Sequence, residues 1–586
     1  MNKQFIELPS LTIKALFEHS IVEYADKPAL SKVDDTPMTY SELKEDVIVV
    51  REFLKAYGIR RGDKVALYSE NMPNWGIVYF AVTTMGAVIV PILPDFHESE
   101  VRHIIRHAEC KALFLSEKLF DTIYNEYMAE LTLVVRINTL EVIEELSSPN
   151  KVGIALQKGE ETFRQIKSAA MSKILKEKAS ENQPESEDAE VCEDDQVCED
   201  DVAAIIYTSG TTGSSKGVVL SHKNITYEAS AAQMMVDIYP EDRFLSILPL
   251  AHTFECTVGF LIPMFNGASV YYIDKAPTPT ILVKAMASVK PTFMLSVPLI
   301  IEKIYKNKIQ PNFQNNFLIR MLYKIGFIRK ALNKVAGKKL METFGGELRF
   351  FGIGGAALSP HVEAFLREAE FPYCIGYGLT ETAPILAGTR PELTRYRAIG
   401  PALQGVELKI VDPDEHGVGT LWARGPNVMM EYYKNPEKTA EVLKEDGWFN
   451  TEDLGFIDKD GYLYLSGRSK NVIIGPGGEN IYPEQIEAAI NLNEFVADAL
   501  VYEEEGRLCA RVHLDYEKLD AEFGIKGKSE TKVHEKIEKL LEEMRQDLNT
   551  RVSSFSRVRK FIEQREPFVK TPTKKIKRYL YTEPGR

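Results

Sequence analysis

The chain has no excess of positive charge. Its 71 Lys and Arg are outnumbered by 85 Asp and Glu, a net charge of −14 over 586 residues. A surface that tracks a phosphate backbone needs the opposite sign, so nucleic acid is not expected as a partner. Cysteine is scarce and scattered: Cys110, Cys192, Cys198, Cys256, Cys374 and Cys509 have no framework spacing. That argues against a disulfide scaffold and suits a reducing cytoplasm. Cys192 and Cys198 have no histidine nearby and are read as ordinary residues, not metal ligands. Residues 1–9 contain no apolar segment of signal-peptide type, so no secretory leader is expected. One run, 75–93, is uncharged and mostly apolar. Gly86 and Pro91 interrupt it, and it is expected to divide into a buried helix, 75–85, and a strand, 87–90.

What is present is an ordinary globular composition, 44% hydrophobic and 27% charged, in a chain too long for a single core. Residues 1 to about 150 alternate helical patterns with short apolar strands at 64–68 and 111–115, and the alternation resumes at 202–206, 244–249, 269–273 and 348–352. This is the pattern of a layered α/β domain. From Gly405 onward, short strands and turns at 413–417 and 458–461 indicate an antiparallel sheet or small barrel. A boundary is expected at 467–471. Beyond it lies a compact α+β unit with a charged helix, 532–549, and a basic tail. The fold class is therefore α/β: a large N-terminal domain, 1–467, of layered α/β subdomains with a small β-barrel-like part, and a smaller α+β C-terminal domain, 468–586. Residues 185–201 hold ten acidic side chains in seventeen and repeat Val-Cys-Glu-Asp-Asp at 191–195 and 197–201. Self-repulsion makes this stretch a solvated linker or exposed edge.

The densest chemical signal is Tyr207-Thr-Ser-Gly-Thr-Thr-Gly-Ser-Ser-Lys-Gly217. A short apolar strand feeds a loop of glycines, hydroxyls and one lysine, donors that can converge on a polyphosphate. It is not a Walker A loop, because Ser215 rather than glycine precedes Lys216. Five further clusters follow. Phe350-Phe-Gly-Ile-Gly-Gly-Ala-Ala-Leu-Ser-Pro360 reads as strand, glycine turn and helix, with Ser359 as N-cap and Pro360 as first helical residue. Gly376-Tyr-Gly-Leu-Thr-Glu381 sets an aromatic, a hydroxyl and a carboxylate on one turn, suited to a base, a phosphate oxygen and Mg²⁺. Asp453, at the end of an expected strand, can accept two ribose hydroxyls. Gly467-Arg-Ser-Lys-Asn471 and the tail Lys570-Thr-Pro-Thr-Lys-Lys-Ile-Lys-Arg578 supply cations at the domain junction and near the C-terminus.

Together and in this order, these clusters resemble the adenylate-forming superfamily of acyl-CoA synthetases, peptide-synthetase adenylation domains and luciferases. Within it the chain looks most like a long-chain fatty acid–CoA ligase, on Leu248-Pro-Leu-Ala-His-Thr-Phe-Glu255, on Val297-Pro-Leu-Ile-Ile-Glu-Lys-Ile304 and on a long insertion after Lys308. The resemblance implies attack of a fatty-acid carboxylate on the α-phosphate of ATP, then transfer of the acyl group from acyl-AMP to CoA. A carrier-protein acceptor, or a nucleotide-binding scaffold with weakened catalysis, are the alternatives. By the family pattern Thr208, Ser209, Gly210, Thr211, Thr212, Gly213 and Lys216 hold the β- and γ-phosphates, with Thr208 and Glu381 near Mg²⁺. Tyr377 stacks on adenine, on the same turn as Gly378 and Thr380. Gly354, Gly355 and Ala356 line the base and acyl pocket. Asp453 and Arg468 hold the ribose, Lys470 is the hinge of a mobile C-terminal lid, and Lys575 bridges the carboxylate and the α-phosphate. Lys575, Glu381 and Lys216 are the expected catalytic groups. His252 either borders the acyl tunnel or is a hydrogen-bonded wall residue. Three positions depart from the pattern: Ser215, Glu452 where glycine is usual, and Lys574 where glycine is usual.

The segment 302–340 is set apart by charge. Between Glu302 and Lys339 there are ten Lys and Arg and one acidic residue, interleaved with apolar groups. It is expected either to meet an anionic membrane surface or to pack on the domain as a solvated helix pair. The location expected is cytoplasmic, with a peripheral position at the inner membrane face.

Overall fold

In the computed structural model the described residues are 6–120, 131–143, 196–208, 215–274, 277–314, 317–474, 480–524, 530–571 and 575–582. Two large sheets carry the N-terminal part. The first has eight strands, in the order Glu431–Tyr432, Lys216–Ser221, Val202–Thr208, Val88–Ile92, Lys64–Tyr68, Cys110–Leu115, Leu133–Arg136, Glu141–Val142. Its centre is parallel, whereas Val202–Thr208 and Lys216–Ser221 form an antiparallel hairpin. The second has seven strands, with Arg243–Ser246 between Phe293–Ser296 and Ser269–Tyr272; it is parallel except at its edge, where Met38–Thr39 pairs antiparallel with Pro28–Lys32.

Helices fill the space between the sheets. Helix Pro73–Thr84 is apolar on every side, and its Trp75, Tyr79 and Phe80 are buried. Gly76 lets it approach Phe260 closely: a Cβ there would stand 2.9 Å from that ring. Helix Tyr40–Ala56 starts at a capping box in which Thr39 and Glu42 satisfy each other's backbone N–H. Val65 and Leu67 of the first sheet share one core with Phe244, Val270 and Phe293 of the second. The run 75–93 thus splits into a helix and a strand, and no helix among the described residues is long and apolar enough to cross a membrane.

Four antiparallel strands, Glu407–Val411, Gly419–Arg424, Phe449–Ile457 and Leu463–Arg468, make the small sheet expected after Gly405. A third unit has its own core. Strands Val496–Glu504, Arg507–Leu514 and Lys560–Glu563 pack on helices Pro483–Ile490 and Glu530–Arg551 through Ile486, Val501, Ala510, Leu541 and Leu548. It docks on the large part through Lys306, whose ammonium donates to the Val496 carbonyl at 3.0 Å, and Gln485, which donates to the Ser466 carbonyl at 3.2 Å. Most of the acidic stretch, with Cys192, lies outside the described residues. Its end is anchored: Asp201 pairs with Arg61 at 2.7 Å and Glu199 accepts the Leu11 N–H.

Candidate active site

The site forms where the first sheet, the small sheet and the C-terminal unit meet. Thr208 and Lys216 face each other as the last pair of the hairpin. Ser209, Gly210, Thr211, Thr212 and Gly213 lie outside the described residues. Lys216 Nζ sits 5.1 Å from the centroid of the Tyr432 ring. Burial lowers the pKa of this ammonium, with the Lys438 and Lys470 charges adding to the effect and Glu381 and Glu452 opposing it. The Ser215 hydroxyl is buried and finds no partner among the described residues.

Glu381 projects from a short turn, Thr380–Thr382. Tyr432 donates to its Oε1 at 2.8 Å, and its Oε2 makes no hydrogen bond among the described residues. Gly378 admits no other residue here, because a Cβ would fall 1.6 Å from the Pro384 carbonyl oxygen. Beneath the turn the fully buried Asn427 amide donates to the Thr382 and Ile385 carbonyls and, at 2.8 Å, to buried Glu228. Burial raises the Glu228 pKa well above the usual carboxylate range.

Asp453 lies inside strand Phe449–Ile457 rather than at its end. The strand bulges there: Thr420 faces Leu454 and Trp422 faces Asn450. Asp453 accepts the Tyr377 hydroxyl at 2.7 Å and pairs with Arg468 Nε at 3.0 Å. Asp453 raises the Arg468 pKa further, and burial, then Asp453, raises that of Tyr377. Glu452 turns the other way. Its φ is 59°, and it pairs with Lys470 at 2.8 Å in the turn Ser469–Asn471.

Lys575 stands on a tail hairpin. The Thr571 N–H donates to the Lys575 carbonyl at 2.7 Å, and the Lys575 N–H donates to Thr571 Oγ1 at 3.1 Å. Lys574 lies outside the described residues. Lys575 is exposed. Desolvation lowers its pKa first, the Arg468 charge lowers it again, and Asp453 and Glu381 act against both. The hairpin thus brings Lys575 into the field of Arg468, Asp453 and Glu381. His252 belongs to the same region. Its Nδ1 accepts the Phe254 N–H at 3.2 Å, and burial, with the Lys575 charge adding, pushes its pKa down to about 4. Gly354 packs on the Phe254 ring, Gly355 adopts φ 84° beside Val297, and Ala356 is exposed. Ser359 is the N-cap as expected, but its side chain caps nothing: hydroxyl and backbone N–H both bond to Glu302.

These residues can hold a nucleoside triphosphate's charge from several sides. Among the described residues no three His, Cys, Asp or Glu side chains converge on one point. An all-protein metal cage is thus absent there, but Mg²⁺ keeps waters and shares phosphate oxygens, needing one or two carboxylates. Glu381, with a second oxygen that makes no hydrogen bond among the described residues, fits that demand as one such carboxylate. Tyr432, Asn427 and Lys438 were not singled out from the sequence. Only Gly425-Pro-Asn-Val-Met-Met-Glu-Tyr-Tyr433, a turn followed by a short aromatic strand, could have pointed to the first two.

The family model described as AMP-binding enzyme matches residues 17–433. The peroxisomal long chain acyl-CoA synthetase 6 of Arabidopsis thaliana is 30% identical over 88% of this chain and 75% of its own length. A chloroplastic long-chain-fatty-acid–[acyl-carrier-protein] ligase of the same plant is 26% identical over 84% of this chain and 74% of its own. Among solved structures, an anthranilate CoA ligase in complex with anthranoyl-AMP superposes with a TM-score of 0.72 at 21% identity, covering 97% of this chain and 96% of that one.

Proposed function

We infer that this chain, which belongs to the AMP-binding enzyme family and is an adenylate-forming enzyme, activates a fatty acid as acyl-AMP and passes the acyl group to CoA. ATP, Mg²⁺ and CoA are the cofactor and co-substrates of that chemistry. The observation that carries the reading is Lys575, a lysine of the C-terminal unit lying within the field of Asp453, Arg468 and Glu381.

The physical problem is attack of one anion on another. Two like unit charges about 4 Å apart repel by about 4 kcal/mol near a protein surface. Lys575 offsets this between the carboxylate and the α-phosphate, and Lys216 with the loop donors draws charge toward the leaving pyrophosphate. Mg²⁺ would be held by Glu381 and Thr208 and would neutralise phosphate charge. No general base is needed, because a carboxylate is already ionised at neutral pH. Asp453 and Arg468 fix the ribose, with the Tyr377 hydroxyl orienting Asp453 and its ring offered to adenine. Gly378 and Thr380 belong to the same turn. His252, held neutral, borders the acyl side with Gly354, Gly355 and Ala356 and adds no charge there. In the first step a carboxylate oxygen bonds to the α-phosphorus as the bond to pyrophosphate breaks. In the second the thiol sulfur bonds to the acyl carbon, its proton is lost to solvent, and AMP leaves.

For the second step the lid, 468–586, swings about Lys470, withdraws Lys575 and opens a path for the thiol. A carrier-protein thiol is the second reading, favoured by the carrier-protein ligase among the relatives. The test is the product set. Purified protein given Mg–ATP, palmitate and CoA is expected to yield acyl-CoA, AMP and pyrophosphate in equal amounts. ADP and phosphate instead would overturn the reading, and acyl transfer to carrier protein but not CoA would replace the acceptor.

A further inference from the structure

The basic segment 302–340 divides in the structure into a half spent on the fold and a half turned to solvent. Helix Gly326–Thr343 docks through buried Asn333, Gly337 and Leu340, and a Cβ at Gly337 would lie 2.5 Å from the Ala369 carbonyl oxygen. Part of the charge is committed with it: Arg329 chelates Glu368 with bonds of 2.7 to 3.1 Å, and Lys334 pairs with Glu370 at 2.6 Å. The preceding helix, Phe317–Tyr323, behaves differently. Tyr323 stacks on Phe313 and donates to Asn333, and Ile319 rests on the core below. Phe317, Leu318, Met321, Leu322 and, beyond it, Ile325 and Phe327 stand outward, with Leu318 67% and Phe327 75% exposed. Arg320, Lys324 and Lys330 are exposed among them, and Arg320 lies over the Phe317 ring at 5.7 Å.

A soluble helix pair that merely packs on its domain buries such residues. Six large apolar side chains in one eleven-residue stretch, ringed by cations, in a chain of net charge −14, are complementary to an apolar layer beneath an anionic surface. We propose that Phe317, Leu318, Met321, Leu322, Ile325 and Phe327, with Arg320, Lys324 and Lys330, form a docking surface for the anionic face of a lipid bilayer. The apolar groups enter the headgroup boundary and the three cations meet lipid phosphates. An acidic protein would satisfy the cations but gives no reason for so many outward apolar groups. The surface stands on its own geometry. The fatty-acid reading gives it a use, because the core layer under this helix, with Tyr305, Ile309 and Phe313, also contains Ile353, next to Gly354 of the site.

The test is co-sedimentation of the full chain with vesicles of phosphatidylcholine alone and of phosphatidylcholine with about a third phosphatidylglycerol. Binding is expected only to the second and should weaken with added salt. Replacing Phe317, Leu318 and Phe327 by serine should lower partitioning about tenfold or more, and Arg320→Gln with Lys324→Gln and Lys330→Gln by a comparable factor. Pyrophosphate release with hexanoate, a water-soluble acid, should be unchanged in both variants, which also shows that they fold. Equal sedimentation of wild type and variants would overturn the proposal. So would vesicle binding by neither lipid while light scattering shows a second copy, or added acidic carrier protein, covering this surface. Vesicle binding without any acid activation would leave the surface intact and count against the fatty-acid reading alone.

Discussion

Glu452 and Asp453 are neighbours on one strand and do opposite things. Asp453 is buried, accepts from Tyr377 and is paired with Arg468, so its carboxylate is aimed into the cleft by two fixed partners. Glu452 has a left-handed backbone, φ 59°, and meets Lys470 where the chain leaves the large domain. Its backbone carbonyl also accepts the Ser469 hydroxyl at 3.0 Å. On the proposed mechanism, Asp453 serves the chemistry and Glu452 the joint. A left-handed position favours glycine, which is what the superfamily pattern has there. Glutamate accepts the strain and gains an ion pair with Lys470.

The largest effect separating the two sides is expected from Lys575→Ala. It should lower acid-dependent pyrophosphate release about a thousandfold yet leave thioester formation from supplied acyl-AMP within a few-fold of wild type. Equal loss in both half-reactions would erase the distinction between cleft and joint. Asp453→Ala comes next, at about a hundredfold in kcat/KM for ATP, since it removes a ribose acceptor and leaves the Arg468 guanidinium without its partner. Activity measured against pH supplies a third check. On the proposed mechanism Lys575 and Lys216 work as cations, and both have lowered pKa values. Adenylation should therefore fall as pH rises, earlier than an ordinary lysine would dictate. A rate still level at the ordinary lysine pKa would contradict the burial argument. The smallest effect belongs to the joint. Glu452→Gly relieves the left-handed strain and should raise stability by about 0.5–1 kcal/mol in chemical denaturation. Glu452→Ala keeps the strain, loses the pair and should cost about 0.5 kcal/mol. If the two variants melt alike, the backbone explanation fails.

Sequence was sufficient wherever the determinant is local. Strand Lys64–Tyr68 is alternation-free, apolar and bounded by turns, and it forms where its residues say. The helix and strand inside 75–93 follow from punctuation by Gly86 and Pro91. What sequence could not supply was pairing at long range. Nothing near Tyr432 in the chain announces that its hydroxyl will hold Glu381 and its ring will sit beside Lys216. Ser359 looked like a cap from its neighbours, but Glu302, far away in sequence, claims its hydroxyl. The orientation of Glu452 was equally open until the bulge at 450–454 fixed φ and turned it toward Lys470. The segment 302–340 shows the limit most clearly. Composition sees one basic block, whereas contacts divide it into Arg329 and Lys334, bound to carboxylates, and Arg320, Lys324 and Lys330, held outward.

The account stands on acid activation through a mixed anhydride with AMP, and that bond can be traced by isotope. With a fatty acid whose carboxylate carries heavy oxygen, one labelled oxygen should appear in the phosphate of AMP for each acyl-CoA formed, because the attacking oxygen stays on phosphorus when the thiol displaces the nucleotide. AMP free of label, with acyl-CoA still produced, would contradict it.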